Sequence, residues 1–215
     1  MENKTVELVN LWHEYQQKHN NASLTDFFRY SLMADEHHSS PDAEEHYKEI
    51  PLDARLSRCM GRVIRFQSMY ARKALSEVDF KNLDDFLYLN TVKRMGNPKK
   101  SEVIYENVSE FSSGTEIIKR LVQLGLVEES VDPDDRRSKR LTVTPRGQEI
   151  LLKCYEKMQA VSSMALSCLS TDDKELLFSL LLPVDTLHSS LYEQMRNKNI
   201  DEITKEVEAR VRAMT

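Results

Sequence analysis

At 215 residues, 40% hydrophobic and 30% charged, the chain is long enough for one or two domains with a real core. With only 5 Gly and 6 Pro, it offers few turn signals and is predicted to be mostly helix. Three cysteines without CxxC spacing argue against a disulfide framework or a zinc site. Apolar runs such as Leu180-Leu181-Leu182 are too short to span a bilayer, and Met1-Glu2-Asn3-Lys4 lacks a signal-peptide core, so a cytoplasmic protein is expected.

The net charge is −5, but it is unevenly spread: residues 91–147 hold 11 Lys+Arg against 9 Asp+Glu, leaving the acidity in the two ends. Leu8, Leu11, Trp12 and Tyr15 recur at helical steps and predict a helix over 4–19; Leu24, Phe27, Phe28 and Leu32 predict a second over 24–34. Residues 35–51 lose periodicity and read as a surface linker. Its histidines, His37, His38 and His46, have no ligand pair at helical spacing and read as solvated rather than metal-binding. A long helix is predicted over 52–78 and another over 83–95. Asn97-Pro98 reads as a cap followed by a first-turn proline, opening a helix to about Val108.

After a break at 109–112, Ser113 and Glu116 have capping-box spacing ahead of Ile117, Ile118, Leu121 and Val122. Gly125 is placed to end that helix in a left-handed cap. The period then shortens. Residues 126–131 and 139–144 read as strands around the charged turn Asp132-Pro133-Asp134-Asp135-Arg136-Arg137-Ser138. Thr144-Pro145 opens a helix to about Leu169, with Cys154 and Cys168 read as core; Ser170 and Asp173 open another to about Asn197, which Pro183 inside it is expected to kink; 200–214 is a last amphipathic helix.

Helix, helix, helix, hairpin is the order of a helix-turn-helix followed by a wing, so the predicted fold is mainly α with a small β-hairpin wing. The helix over 113–124 is then the candidate recognition helix. Its candidate DNA contacts are Ser112, Ser113, Thr115, Glu116, Lys119 and Arg120. Small hydroxyl residues at a helix N-terminus allow close approach to a groove and bond phosphates or base edges. On the wing, Asp135, Arg136, Arg137, Lys139 and Arg140 crowd one short loop. Clustered positive charge repels itself unless a phosphate backbone or a narrow minor groove compensates it, and Asp135 can aim Arg137 by a bidentate pair. Lys99 and Lys100 oppose the dipole of the helix they begin, which a phosphate would relieve, so they are further candidate contacts.

The run from Leu121 to Glu129, then Asp132-Pro133-Asp134-Asp135-Arg136-Arg137-Ser138-Lys139-Arg140-Leu141-Thr142-Val143-Thr144-Pro145-Arg146-Gly147, resembles the wing region of the multiple-antibiotic-resistance regulator (MarR) family. The resemblance is strong over 117–147 and extends weakly over about 52–196. It implies a winged helix-turn-helix flanked by long dimerisation helices. The helix matching 113–124 would enter the major groove, Asp135 and Arg137 would work at the minor groove, and helices matching 52–78, 146–169 and 171–196 would pack between two subunits. The implied organisation is an N-terminal helical extension and linker (1–51), a dimerisation helix (52–80), a DNA-binding domain (81–147) and C-terminal dimerisation helices (148–215). The extension, the helix after Asn197 and the wording of 83–95 depart from the family. The two end segments are expected to pack together on the neighbouring subunit.

The partners implied are double-stranded DNA and a second copy of the chain, with no membrane, no metal and no cofactor beyond a possible small aromatic or phenolic effector. No GxGxxG, P-loop, HExxH or GxSxG pattern supports an enzyme. Two other readings stay open. One is a winged-helix module that binds protein instead of DNA. The other is a redox-sensing regulator acting through Cys59, near Arg55, Arg58 and Arg62, which can lower a thiol pKa.

Overall fold

The computed structural model describes residues 4–19, 23–34, 47–78, 80 and 82–214, which contain nine helices and two strands. The predicted linker falls mostly on 35–46, and with it His37, His38 and His46, outside the described residues. The chain divides into two units, Met1–Arg58 and Cys59–Thr215.

The first unit holds helices α1 (Lys4–Lys18) and α2 (Leu24–Ala34). Ser23 and Asp26 close a reciprocal cap on α2: the Asp26 N–H donates to Ser23 Oγ at 3.1 Å and the Ser23 N–H to Asp26 Oδ2 at 3.3 Å. The two helices meet through aromatic rings. Tyr15 and Phe27 are buried, with Trp12 edge-on to Phe27 at 5.2 Å and Tyr30 4.9 Å from Tyr15.

Helix α3 (Leu52–Ala74) enters the second unit and stops four residues before its predicted end. The chain turns at 75–78, where the Val78 N–H donates to the Leu75 carbonyl at 3.0 Å, and Leu75 drops into the core. Helix α4 (Leu83–Met95) matches the prediction, opened by a capping box between Asn82 and Asp85. Then come α5 (Lys100–Glu106), α6 (Phe111–Gln123), strands β1 (Val127–Val131) and β2 (Lys139–Val143), and α7 (Pro145–Ala165), α8 (Thr171–Met195) and α9 (Ile200–Arg212).

The core joins α4, α5, α6, the hairpin and the start of α7. Leu89, Val92, Val103, Ile104, Ile118, Leu121, Val127, Leu141 and Leu151 are each almost wholly buried there. The strands are antiparallel in the register Val127↔Val143. Their inward residues alternate, which is why Leu141 and Val143 are buried and Thr142 is not. Gly125 ends α6 at φ +67°, with its N–H on the Val122 carbonyl and the Leu126 N–H on Leu121, the paired bonds of a Schellman cap. Helices α8 and α9 begin with the predicted and an additional capping box, Ser170 with Asp173 and Asn199 with Glu202. Pro183 lies inside an unbroken α8.

Two predicted helix starts are corrected. Asn97 does not cap α5. Instead the Pro98 carbonyl accepts the Leu141 N–H at 2.8 Å and Lys99 bridges Arg140, so 97–99 runs as a strand-like edge beside β2. Lys99 becomes the cap position, and its N–H donates to Glu102 at 2.7 Å. Likewise Ser113 does not cap α6: the helix opens at Phe111, with Glu110 as the cap residue, and the Ser113–Glu116 box does not form. The turn between α5 and α6 is therefore Asn107–Glu110, and it carries Val108 at φ +48°. Helix α7 ends at Ala165, before the predicted Leu169, which leaves Cys168 exposed in the following turn instead of in the core; Cys154 is buried as read.

Candidate nucleic-acid interface

Three helices and a hairpin build this surface. Helix α6 is seated at Gly114, where a Cβ would lie 2.6 Å from both Ile104 Cγ1 and Tyr88 Oη, so only hydrogen lets α6 approach this closely. Early shift of the helix start puts Ser112 and Ser113 in its exposed first turn, with Glu116 and Lys119 exposed further along. Thr115 is half-buried, and its hydroxyl donates to the Phe111 carbonyl at 2.7 Å.

Arg120 points the other way. Its Nε donates to Asp85 Oδ1 at 2.9 Å, and its Nη2 contacts the same oxygen. Asp85 is fully buried and Arg120 is 23% exposed. Arg120 is thus a tie between α6 and α4, not an outward contact.

The wing is ordered by its own carboxylates. Asp132 is buried, and its Oδ1 accepts the N–H groups of Asp134 (2.8 Å) and Asp135 (3.2 Å). Asp135 Oδ1 accepts the Arg137 N–H at 3.0 Å, and its Oδ2 accepts the Ser138 hydroxyl at 2.8 Å. The predicted bidentate pair is absent. The Arg137 guanidinium comes no nearer Asp135 than 3.9 Å and is 98% exposed, so Asp135 fixes the backbone of Arg137 and leaves its head free. Arg136 is exposed beside it.

The other cations are engaged. Arg140 Nε lies 3.0 Å from Asp132 Oδ2, and Arg140 Nη1 donates to the Asn97 carbonyl at 2.9 Å. Lys99 Nζ is 3.4 Å from the same Asp132 oxygen. Lys100 and Lys139 share Glu129, the latter at 2.5 Å. Hence Lys99, Lys100 and Arg140 brace the wing against α5, which explains how two lysines are tolerated at a helix start. Sequence reasoning missed Asp132 and Asp85. Asp132 opens a charged turn and Asp85 sits beside Asp84 in the first turn of α4, and only burial reveals the role of either.

These contacts depress three acids. The Asp134 N–H, opposed by burial and aided by the Asp135 N–H, Lys99 and Arg140, lowers Asp132 below 3.8. The Arg137 N–H and then Ser138 lower Asp135 below the same value. Partial burial raises Glu129, but Lys100 and Lys139 outweigh it and bring it below 4.5. Folded values below unfolded ones mean that the wing's stabilisation is complete above these ordinary values and is lost as pH falls through the depressed ones. NMR titration of the side-chain carboxyl carbons should give midpoints under 3.8 for both aspartates; midpoints at or above it would refute the assignment.

Cys59 is exposed on α3, whereas burial pushes the Cys154 thiol up. Among the described residues no group of His, Cys, Asp and Glu is placed to hold a metal, and no helix is long and apolar enough to cross a membrane.

Residues 80–147 match the family model of a winged helix DNA-binding domain, and that domain is what α4 through β2 form. About two thirds of the chain shares the fold of solved MarR regulators. A mutant MarR from E. coli complexed with operator DNA superposes with TM-score 0.58 at 23% identity, covering 64% of this chain and 96% of that one. BpsR of Bordetella bronchiseptica, solved to explain regulation of its DNA binding by 6-hydroxynicotinic acid, gives 0.57 at 17%, covering 60% and 98%. The organohalide-sensing regulator RdhR in its 2,4-dichlorophenol-bound form gives 0.61 at 16%, covering 67% and 86%. Curated protein sequences give no match.

Proposed function

We propose that the protein is a MarR-type transcription regulator that binds a palindromic operator as a homodimer. The observation that carries this reading is the pairing, on one winged helix, of an exposed hydroxyl-bearing helix start (Ser112, Ser113) with a braced wing whose free heads are Arg136 and Arg137. A helix start of this kind suits the major groove and exposed arginines suit phosphate or the minor groove. Lys119 extends the same outward face.

A second copy is called for by apolar surface. Met60, Val63, Ile64, Phe66 and Met69 on α3, and Leu176 through Leu182 on α8 (Ser179 apart), are exposed in the single chain. Runs of this size on a soluble chain mark an interface. Two-fold pairing would set the half-sites about 10 bp apart. An open groove of about 620 Å³ between α3 and α7, lined by Tyr70, Ala74, Val161 and Met164 and spanned by the Lys157–Glu77 pair at 2.5 Å, suits a small aromatic or phenolic effector.

The test is fluorescence anisotropy with DNA from upstream of the protein's own gene, comparing wild type with Arg137→Ala. Losing one arginine contact costs about 1 kcal/mol or more per subunit, so two copies weaken operator binding by roughly 30-fold. The slope of log K against log salt should fall by about two per dimer. Equal binding by both proteins would exclude the wing role, and no binding to any selected DNA fragment would favour the protein-interaction module.

A further inference from the structure

We infer that Asp132 is the positioning residue of the wing: its buried carboxylate converts Lys99 and Arg140 from DNA-facing cations into braces and thereby aims Arg137. This deepens the DNA-binding reading and rests on it for its DNA arm.

The chain of contacts is direct. One carboxylate oxygen, Oδ1, gathers the Asp134 and Asp135 N–H groups, forming the turn just past β1. The Asp132 N–H donates to the Ser138 carbonyl at 3.0 Å and closes the same turn. Asp135, fixed by that turn, accepts the Arg137 N–H and so sets where the guanidinium stem begins. The other oxygen, Oδ2, faces Arg140 and Lys99 at 3.0 and 3.4 Å. Arg140 in turn holds the Asn97 carbonyl, and the Leu141 N–H holds Pro98. Wing tip, β2 and the entry to α5 thus converge on a single side chain with no exposed surface. A carboxylate out of water needs such compensation: Oδ1 is hydrogen-bonded to two backbone N–H groups and Oδ2 is held by the two cations as ion pairs, an arrangement that fixes geometry more than it adds charge.

The sign of the effect separates positioning from charge. Asp132→Asn removes a negative charge from a surface meant for DNA. Charge alone predicts tighter binding to every sequence. Positioning predicts weaker binding to the operator, with binding to unrelated DNA unchanged or tighter. Asn keeps the size and the Oδ1 acceptor, so the domain should still fold; Arg140→Gln breaks the same brace from the other side.

Limited trypsin digestion of the free full-length protein reads the brace without DNA. Cleavage after Arg136 and Arg137 should accelerate about tenfold or more in both variants, at a temperature where circular dichroism shows each still folded, as the local opening equilibrium shifts beyond any loss of global stability. Anisotropy then should show about tenfold weaker operator binding for both, and Arg140→Gln should keep the wild-type salt slope, unlike Arg137→Ala. Wild-type cleavage rates in both variants, or operator binding that tightens in Asp132→Asn, overturn the inference. A lowered salt slope in Arg140→Gln without faster cleavage would also overturn it, making Arg140 a phosphate contact. If wild type binds no DNA, the aiming role falls with the regulator reading, while digestion still decides whether Asp132 braces the wing.

Discussion

Asp85→Ala should lower the stability of the second unit by about 3 kcal/mol. Removing one member of a buried ion pair costs on the order of 3–5 kcal/mol, because the partner stays behind without compensation. The lower end applies here since Arg120 keeps 23% exposure and recovers some hydration. The same substitution removes the acceptor for the Asn82 N–H, at 3.4 Å, from the α4 capping box. For a chain of this size the loss corresponds to a fall in Tm of roughly 10 °C. Arg120→Met alone takes the guanidinium away from the buried Asp85 carboxylate and should cost a similar amount. The double variant, which replaces the pair with apolar contact, should cost clearly less than the sum. Denaturant unfolding of the three variants measures this directly. Additive losses, or a loss under about 0.5 kcal/mol for Asp85→Ala, would mean that the pair does not join α4 to α6.

The same pair shows where sequence reasoning stops. Helix-helix-helix-hairpin order was legible because it depends on periodicity and on a change of period near Gly125, both local properties. Gly125 itself was legible, as a glycine after the last apolar helical residue. The cap at Thr144, whose hydroxyl accepts the Gly147 N–H at 3.0 Å, followed from the Thr-Pro pattern. Asn97-Pro98 carried an equally good cap pattern and failed, because the Pro98 carbonyl is claimed by Leu141, forty-odd residues on. Ser113 failed because the helix could begin earlier, at Phe111, whose neighbours supply a first turn without any side-chain cap. Local signals propose helix ends; distant partners choose among them.

The candidate site divides along the same line. Composition marks Arg136, Arg137, Lys139, Arg140, Lys99 and Lys100 alike as wing or near-wing cations. Only the folded chain separates the two exposed arginines from the cations held by Asp132 and Glu129. Arg120 was the sharpest difference. It lies on the candidate recognition helix by sequence, but α6 turns it toward Asp85, a residue thirty-five positions earlier. Helical phase separates Lys119 from Arg120 by about 100°, enough to send one outward and the other inward.

Gly147→Ala is the other substitution expected to have a large effect. Gly147 sits in the first turn of α7, and an ideal Cβ there would lie 2.2 Å from the Leu126 carbonyl oxygen and 2.8 Å from Val143 Cγ1. The first obstacle is backbone, so no side-chain rotation relieves it. Helix α7 must lift off the turn that ends α6. That movement strains the bonds that seat it: the Thr144 N–H on the Leu126 carbonyl at 3.0 Å and the Thr144 hydroxyl on the Gly125 carbonyl at 2.7 Å. Overpacking costs about 1–3 kcal/mol and a disrupted N-cap about 1 more, for a total near 3 kcal/mol. Gly61, inside α3 with none of the described residues within 4 Å of its would-be Cβ, provides the contrast. Gly61→Ala should raise stability by roughly 0.5–1 kcal/mol, as expected for an unobstructed helix-interior glycine. Paired thermal melts at one protein concentration measure both. Equal melting of Gly147→Ala and wild type would show that α7 does not bear on the hairpin through this contact. A loss in Gly61→Ala would instead point to a subunit contact at α3, because none of the described residues obstructs that position.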